Sequence, residues 1–223
     1  MGIILIFRKV CQKYKISYTH VYYLIKHNVP SRQPKHFSLR ISKSNKKIFG
    51  KHTMNVSDAI RLKRAVRKFT PDPLPEEVIT AILNAGRRAQ SSKNTQPWQF
   101  IAITDKLTLK RLSECGDYAG HIAGAALAVA ILTSDPEAQF QTMFDAGQSA
   151  AYMQLAAWEI GVGSCPASIY KPEIARQILG FPDEWHLRIV LSFGYPLQEE
   201  KLTAPPHKGG RRGLEEVVHR EKW

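Results

Sequence analysis

Cysteine is scarce in this chain, and the three that occur, Cys11, Cys115 and Cys165, lie far apart. That spacing excludes a disulfide framework and the paired C-x-x-C pattern of a zinc site, and a reducing, cytoplasmic compartment is expected. The eight histidines form no H-x-x-H or H-E-x-x-H pattern. No metal site is expected. Long apolar runs are also missing: Ile122 to Leu132 spans eleven residues and is interrupted by Gly124. A membrane-crossing helix needs roughly 20, so no membrane partner is expected.

Acidic residues are absent from the first 53 positions, which hold twelve Lys and Arg; the first acid is Asp58. The other 170 residues carry 20 basic and 19 acidic groups, so only one unit of the net charge of +13 lies beyond Thr53. Composition breaks at the same place. Ile, Lys, Asn, Tyr and Phe fill 25 of the first 53 positions but 34 of the next 170. Residues 1–53 are therefore expected to be a basic leader, disordered or not native to the functional domain, which runs over 54–223. Its apolar stretch Ile3 to Phe7 is too short and too early for a signal peptide, and nine Lys against three Arg do not suit a transit peptide. Tyr14, Tyr18, Tyr22 and Tyr23 among lysines are compatible with single-stranded nucleic acid or an anionic membrane surface. Nothing in their spacing requires it, and no nucleic-acid partner is expected.

From Met54 the residue patterns alternate between helix and strand. Ser57 followed by Asp58 reads as the start of a helix that ends near Phe69. Pro75, Glu76 and Glu77 open a second, with Val78, Ile79, Ile82 and Leu83 on its apolar side. Trp98 to Thr104 reads as a strand, Lys106 to Cys115 as a short helix, and Ala125 to Thr133 as a strand buried on both faces. The longest helical pattern starts at Asp135-Pro136 and runs to about Ile160, dense in Ala and Gly. Gly161 to Pro166 reads as a loop or short strand, Pro172 to Leu179 as a helix stopped by Gly180, and Leu187 to Phe193 as a strand. A charged tail follows from Gln198. Alternation of this kind gives an α/β or α+β domain of about 170 residues.

Three segments carry chemistry. Lys63, Arg64 and Arg67 place three cations within five residues, which suits either a solvated helix end or a grip on phosphate. Ser91 to Trp98 (Ser-Ser-Lys-Asn-Thr-Gln-Pro-Trp) offers the amides of Asn94 and Gln96, which can pair with the edge of a heteroaromatic ring. Arg211 and Arg212 sit in a tail bracketed by glycines. Gly161-Val-Gly163 lacks the third glycine of a dinucleotide fingerprint.

In order and content these segments resemble the FMN-dependent nitroreductases. Lys63-Arg-Ala-Val-Arg-Lys-Phe69 is similar to that family's R-R-S-x-R-x-F opening, and Ser91 to Trp98 to its P-S-x-x-N-x-Q-P-W loop. Asp145-Ala-Gly-Gln-Ser-Ala-Ala continuing to Gly161-Val-Gly-Ser-Cys165 resembles its D-x-G-x-A-x-Q…A-x-G-L-G-S-C helix. Gly194-Tyr-Pro196 and Arg211 to His219 resemble its closing strand and tail. The resemblance implies an α+β fold, a three-layer α/β/α sandwich with a mixed, mainly antiparallel sheet. It implies a homodimer with two FMN sites at the interface, each built from both chains. Lys63, Arg64, Ala65 and Arg67 would bind the phosphate and ribityl chain, with Arg211 or Arg212 closing from the tail. Ser92, Asn94 and Gln96 would approach the ribityl chain and ring, and Pro166, Ala167 and Ser168 would lie along the isoalloxazine. NADH or NADPH would be the co-substrate and a nitroaromatic, quinone or similar acceptor the second substrate, in ping-pong order. The alternative is a protein that stores or senses FMN without turnover. Ala65 stands where the family has Ser, Gln90 where Pro is common, and Cys165-Pro-Ala-Ser where C-W-I-G occurs. No side chain is expected to act as a catalytic acid or base, and His121, His186 and His219 are expected to be structural or surface residues.

Overall fold

A computed structural model describes residues 54–198 and 210–223. The expectation for the leader, residues 1–53, lies outside the described residues, as does the tail between Glu199 and Gly209.

Helix α1 is Val56–Leu62. It starts earlier than Ser57 because Asn55 is its cap, the Asn55 Oδ1 accepting the Asp58 N–H at 2.9 Å. It also stops well short of Phe69. From Lys63 the backbone is extended, and the Val66 N–H donates to the Ser164 carbonyl at 2.9 Å while Thr70 donates to Tyr195 at 2.8 Å. Pairing to distant strands wins over a local sequence of ordinary helix formers. Helix α2, Glu76–Arg87, follows Pro75 and carries Glu76 and Glu77 in its first turn, next to the positive end of the helix.

Strand β1 (Trp98–Ile103), helix α3 (Lys106–Ser113) and strand β2 (Leu127–Thr133) lie where the sequence pattern puts them. Every residue of β2 is buried, as an unbroken apolar run between two layers should be. Helix α4 covers Gln141–Glu159, starting later than Asp135 because the Asp135 carboxylate accepts the Glu137 N–H at 2.9 Å and holds a turn there. Strand β3 is Gly163–Ser168, helix α5 Pro172–Leu179, and strand β4 His186–Gly194. Gly180 ends α5 in the left-handed conformation, φ 68°. A final short helix, α6, is Leu214–Val217.

The sheet order is β1-β2-β4-β3, and every ladder is antiparallel, with a bulge in β2 between Ile131 and Leu132. The parallel component is the bridge from Ala65 to Ser164 along the outer side of β3. Because β3 is an edge strand here, Pro166 is tolerated inside it. On one face Leu109 and Leu112 of α3, Ala175 of α5 and Ile122 pack on Ala128, Ala130, Leu132, Ala167, Leu187 and Val190. On the other face α4 lies over β2 and β3, with α2 packed beside it at Ser149 and Met153. Two helical layers around one sheet form the α/β/α sandwich.

Close approaches at two of the glycines differ in how far the neighbour can give. A Cβ at Gly86 would fall on the flexible Met153 side chain, which can move; one at Gly163 would lie 2.7 Å from Val66 Cβ, which is fixed by its paired backbone. Gly163→Ala should therefore cost about 1–3 kcal/mol and lower the melting temperature by roughly 3–10 °C. Gly120→Ala, where the added carbon meets nothing within 4 Å, should leave that temperature nearly unchanged in the same calorimetric scan.

Candidate active site

The chemistry-bearing residues fall in two groups at different levels of α4. The first surrounds β3. Because Ala65 pairs with Ser164, the extended run from Lys63 to Phe69 lies along that strand's outer side. Burial lowers the pKa of Lys63, with Arg211 pushing the same way and Cys165 opposing them. Burial raises that of Cys165, against the pull of Arg67 and Lys63. Lys63, Arg67, Arg211 and Cys165 are thus near neighbours in charge terms. None of Lys63, Arg64, Arg67, Arg211 and Arg212 has an acidic partner among the described residues. Lys63 and Arg64 are half-buried and Arg67, Arg211 and Arg212 exposed, and a cluster of cations without counter-ions suits a phosphate.

Arg64 turns elsewhere. Its Nη1 donates to the carbonyls of Arg61, Leu62 and Lys63 at 2.9–3.2 Å, closing the end of α1. Arg212 is exposed, next to the start of α6. In β3 the burial alternates: Pro166 and Ser168 are exposed, whereas Ala167 is 2% exposed and packs in the core beneath α3 and α5. Strand alternation thus presents the Pro166 and Ser168 side chains, and the Ala167 methyl points away from them. Pro166 pairs with Leu191 and Ser168 with Ile189, the sheet face on which α4 lies.

The second group is the loop before β1. Lys93, Asn94 and Gln96 all have positive φ, 51°, 56° and 50°. Backbone strain in three non-glycine residues within four positions persists only where the surroundings impose it. Here Asp145, buried in α4, accepts the Ser92 N–H at 2.8 Å, and the Ser91 hydroxyl accepts the Gln96 N–H at 2.9 Å. Trp98, 5% exposed, anchors the loop's far end. The role of Asp145 had one signal in the sequence: it is the single charged residue between Glu137 and Glu159.

Within one chain the two groups are anchored toward opposite ends of α4. The loop is tied at Asp145, whereas Val66 packs in a cluster with Trp158, thirteen residues further along α4. At 1.5 Å per residue that is about 20 Å. Gln96 lines a cleft with Asn84, Arg87 and Phe100, while Arg64, Ala65 and Arg67 line another with Lys68, Pro196 and Gln198. Neither cleft has members of both groups.

Residues 60–115 and 117–195 match the Nitroreductase family. A Thermus thermophilus protein named NADH dehydrogenase is 29% identical over 202 residues, covering 74% of this chain and 95% of its own. A Vibrio harveyi NADPH-flavin oxidoreductase is 26% identical over 171 residues, 69% of this chain and 71% of its own. An FMN-dependent nitroreductase of known structure from Clostridium difficile R20291 superposes with a TM-score of 0.64 at 27% identity, over 74% of this chain and 98% of that one. With the sandwich, the cation group and the strained loop all falling inside or beside the matched segments, the chain belongs to the nitroreductase family.

Proposed function

We propose that this protein is an NAD(P)H-dependent flavin oxidoreductase whose FMN lies between two copies of the chain and whose acceptors are nitroaromatics, quinones or similar oxidised molecules. The observation that carries the reading is where the two groups are anchored: a set of cations without acidic partners and a strained amide-rich loop, both suited to one cofactor, are tied to points about 20 Å apart along α4. A second copy brings the loop of one chain to the cations of the other.

Lys63 and Arg67, with Arg211 from the tail, hold the phosphate as charge-assisted donors. Ala65 and Ser92 lie toward the ribityl chain, and Asn94 and Gln96 offer amides to the ring edge. Arg64 contributes charge while its guanidinium closes α1, and Arg212 adds positive potential at the tail. Pro166 and Ser168 form a floor for the ring, and Ala167 supports it from the core side. When bound, FMN would supply the two-electron redox chemistry between NADH or NADPH and the acceptor. One open face above Pro166 and Ser168 serves both substrates in turn, hence ping-pong kinetics. Among the described residues no helix is long and apolar enough to cross a membrane.

An anaerobic absorbance spectrum from roughly 300 to 550 nm, before and after NADH or NADPH, tests this. A flavin band that bleaches supports the reductase. A flavin that stays oxidised favours storage or sensing of FMN, and absence of flavin after incubation with FMN overturns the assignment.

A further inference from the structure

His121 is a half-buried titratable group that this account leaves without a role. It lies in the short 3-10 turn Gly120–Gly124, behind the strand that forms the floor of the site. Its Nδ1 is 2.8 Å from the Ser192 Oγ, and Ser192, fully buried in β4, donates its hydroxyl hydrogen to the Cys165 carbonyl at 3.1 Å. A hydroxyl has one hydrogen. Both contacts are made at once when that hydrogen lies on the carbonyl and Nδ1–H donates to Ser192. The chain His121–Ser192–Cys165 therefore ties the turn to β3 just before Pro166, and Arg67 acts on both of its ends.

We propose that His121 is a positioning residue for the cofactor site: through Ser192 it holds the Cys165–Pro166 stretch of β3 under the ring, and it takes up a proton when a phosphate settles on Arg67. This rests on the reading that FMN binds here.

Several elements surround His121. From the extended run comes Arg67, from β3 the Pro166 carbonyl, from β4 the neutral Ser192, and from α3, which packs on the turn, Lys106, whose Nζ donates to the Ala125 carbonyl at 2.9 Å; the turn itself holds no other titratable group. Burial and then Arg67 push the imidazole pKa down, and the Pro166 carbonyl, which bonds the ring, pulls it up. A phosphate beside Arg67 cancels the repulsion and leaves the attraction. Binding thus raises the proton affinity of His121, and by linkage FMN binds more tightly as the pH falls through the bound-state pKa. The FMN phosphate has the opposite sign, because a phosphate held by cations sheds its own proton. Net proton uptake on binding therefore identifies the protein group.

The test compares FMN dissociation constants of the wild-type protein and His121→Gln at several pH values between about 5.5 and 8. Gln can still donate to Ser192 but does not titrate. The ratio of the variant's constant to the wild type's should grow by about threefold or more toward low pH. Calorimetry of FMN binding to the wild-type protein, in buffers of different ionisation enthalpy, should show proton uptake; it stands even if the variant fails to fold. Parallel pH curves, or net proton release as large as the phosphate alone would give, overturn the inference while leaving FMN binding intact. If neither protein binds FMN, the functional reading has failed and the inference falls with it.

Discussion

Arg67→Ala is expected to weaken FMN binding by about tenfold to hundredfold, the worth of one charge-assisted hydrogen bond to an ionised group. Arg67 is exposed, has no acidic partner among the described residues, and acts electrostatically on Cys165 and His121. Its removal therefore takes away a ligand for the phosphate without taking away a contact that the fold needs. Equilibrium titration followed by flavin fluorescence reads the loss, and riboflavin, which has no phosphate, should bind the wild type and the variant alike. Arg67→Lys should recover part of the affinity, since an ammonium supplies the charge but not the two-pronged geometry of a guanidinium. An unchanged FMN constant in Arg67→Ala would remove the cation group from the cofactor site.

The sequence made some parts of this molecule plain and hid others for identifiable reasons. Strand β2 was legible because seven apolar residues in a row have no polar side to turn to water, and α5 because Pro172 opens it and Gly180 closes it. The run from Lys63 to Phe69 looked helical because its partners, Ser164, Tyr195 and Pro196, lie about a hundred residues or more away, and local propensity carries no information about them. The same distance explains the site. Residue types suited to phosphate could be picked out near Arg67, yet nothing local says that the Arg64 guanidinium turns back on the carbonyls of α1. Nor does Gly-Ser-Cys-Pro-Ala-Ser reveal which of its side chains face the core. Apolar and polar residues do not alternate there, so the burial of Ala167 between exposed Pro166 and Ser168 follows from pairing with β4. His121 and Ser192 are 71 residues apart and become neighbours only across the sheet.

The second large effect is expected at Gly147. Along the outside of α4 lie Phe140, Phe144, Gly147 and Ala151, spaced by four, three and four residues, all exposed, with Phe140 at 81% and Phe144 at 71%. The helix carries just two charged residues, and one of them, Asp145, is buried against the Ser92 loop. A helix that is apolar on its outer side as well as its inner side is built to be covered. The cover proposed here is the same helix face of a second copy, which also brings the two halves of the cofactor site together. A Cβ added at Gly147 meets nothing within 4 Å inside the chain. Gly147→Arg therefore leaves the single chain's packing alone while placing a charge in the proposed contact, where an unpaired buried charge is costly. The expected result is a folded monomer by light scattering, with far-ultraviolet circular dichroism unchanged and flavin lost on purification. A variant that stays dimeric would move the interface away from α4. A monomer that keeps its flavin would show that one chain suffices to bind FMN, and the proposal that the Ser92–Gln96 loop of one copy serves the cations of the other would then fall.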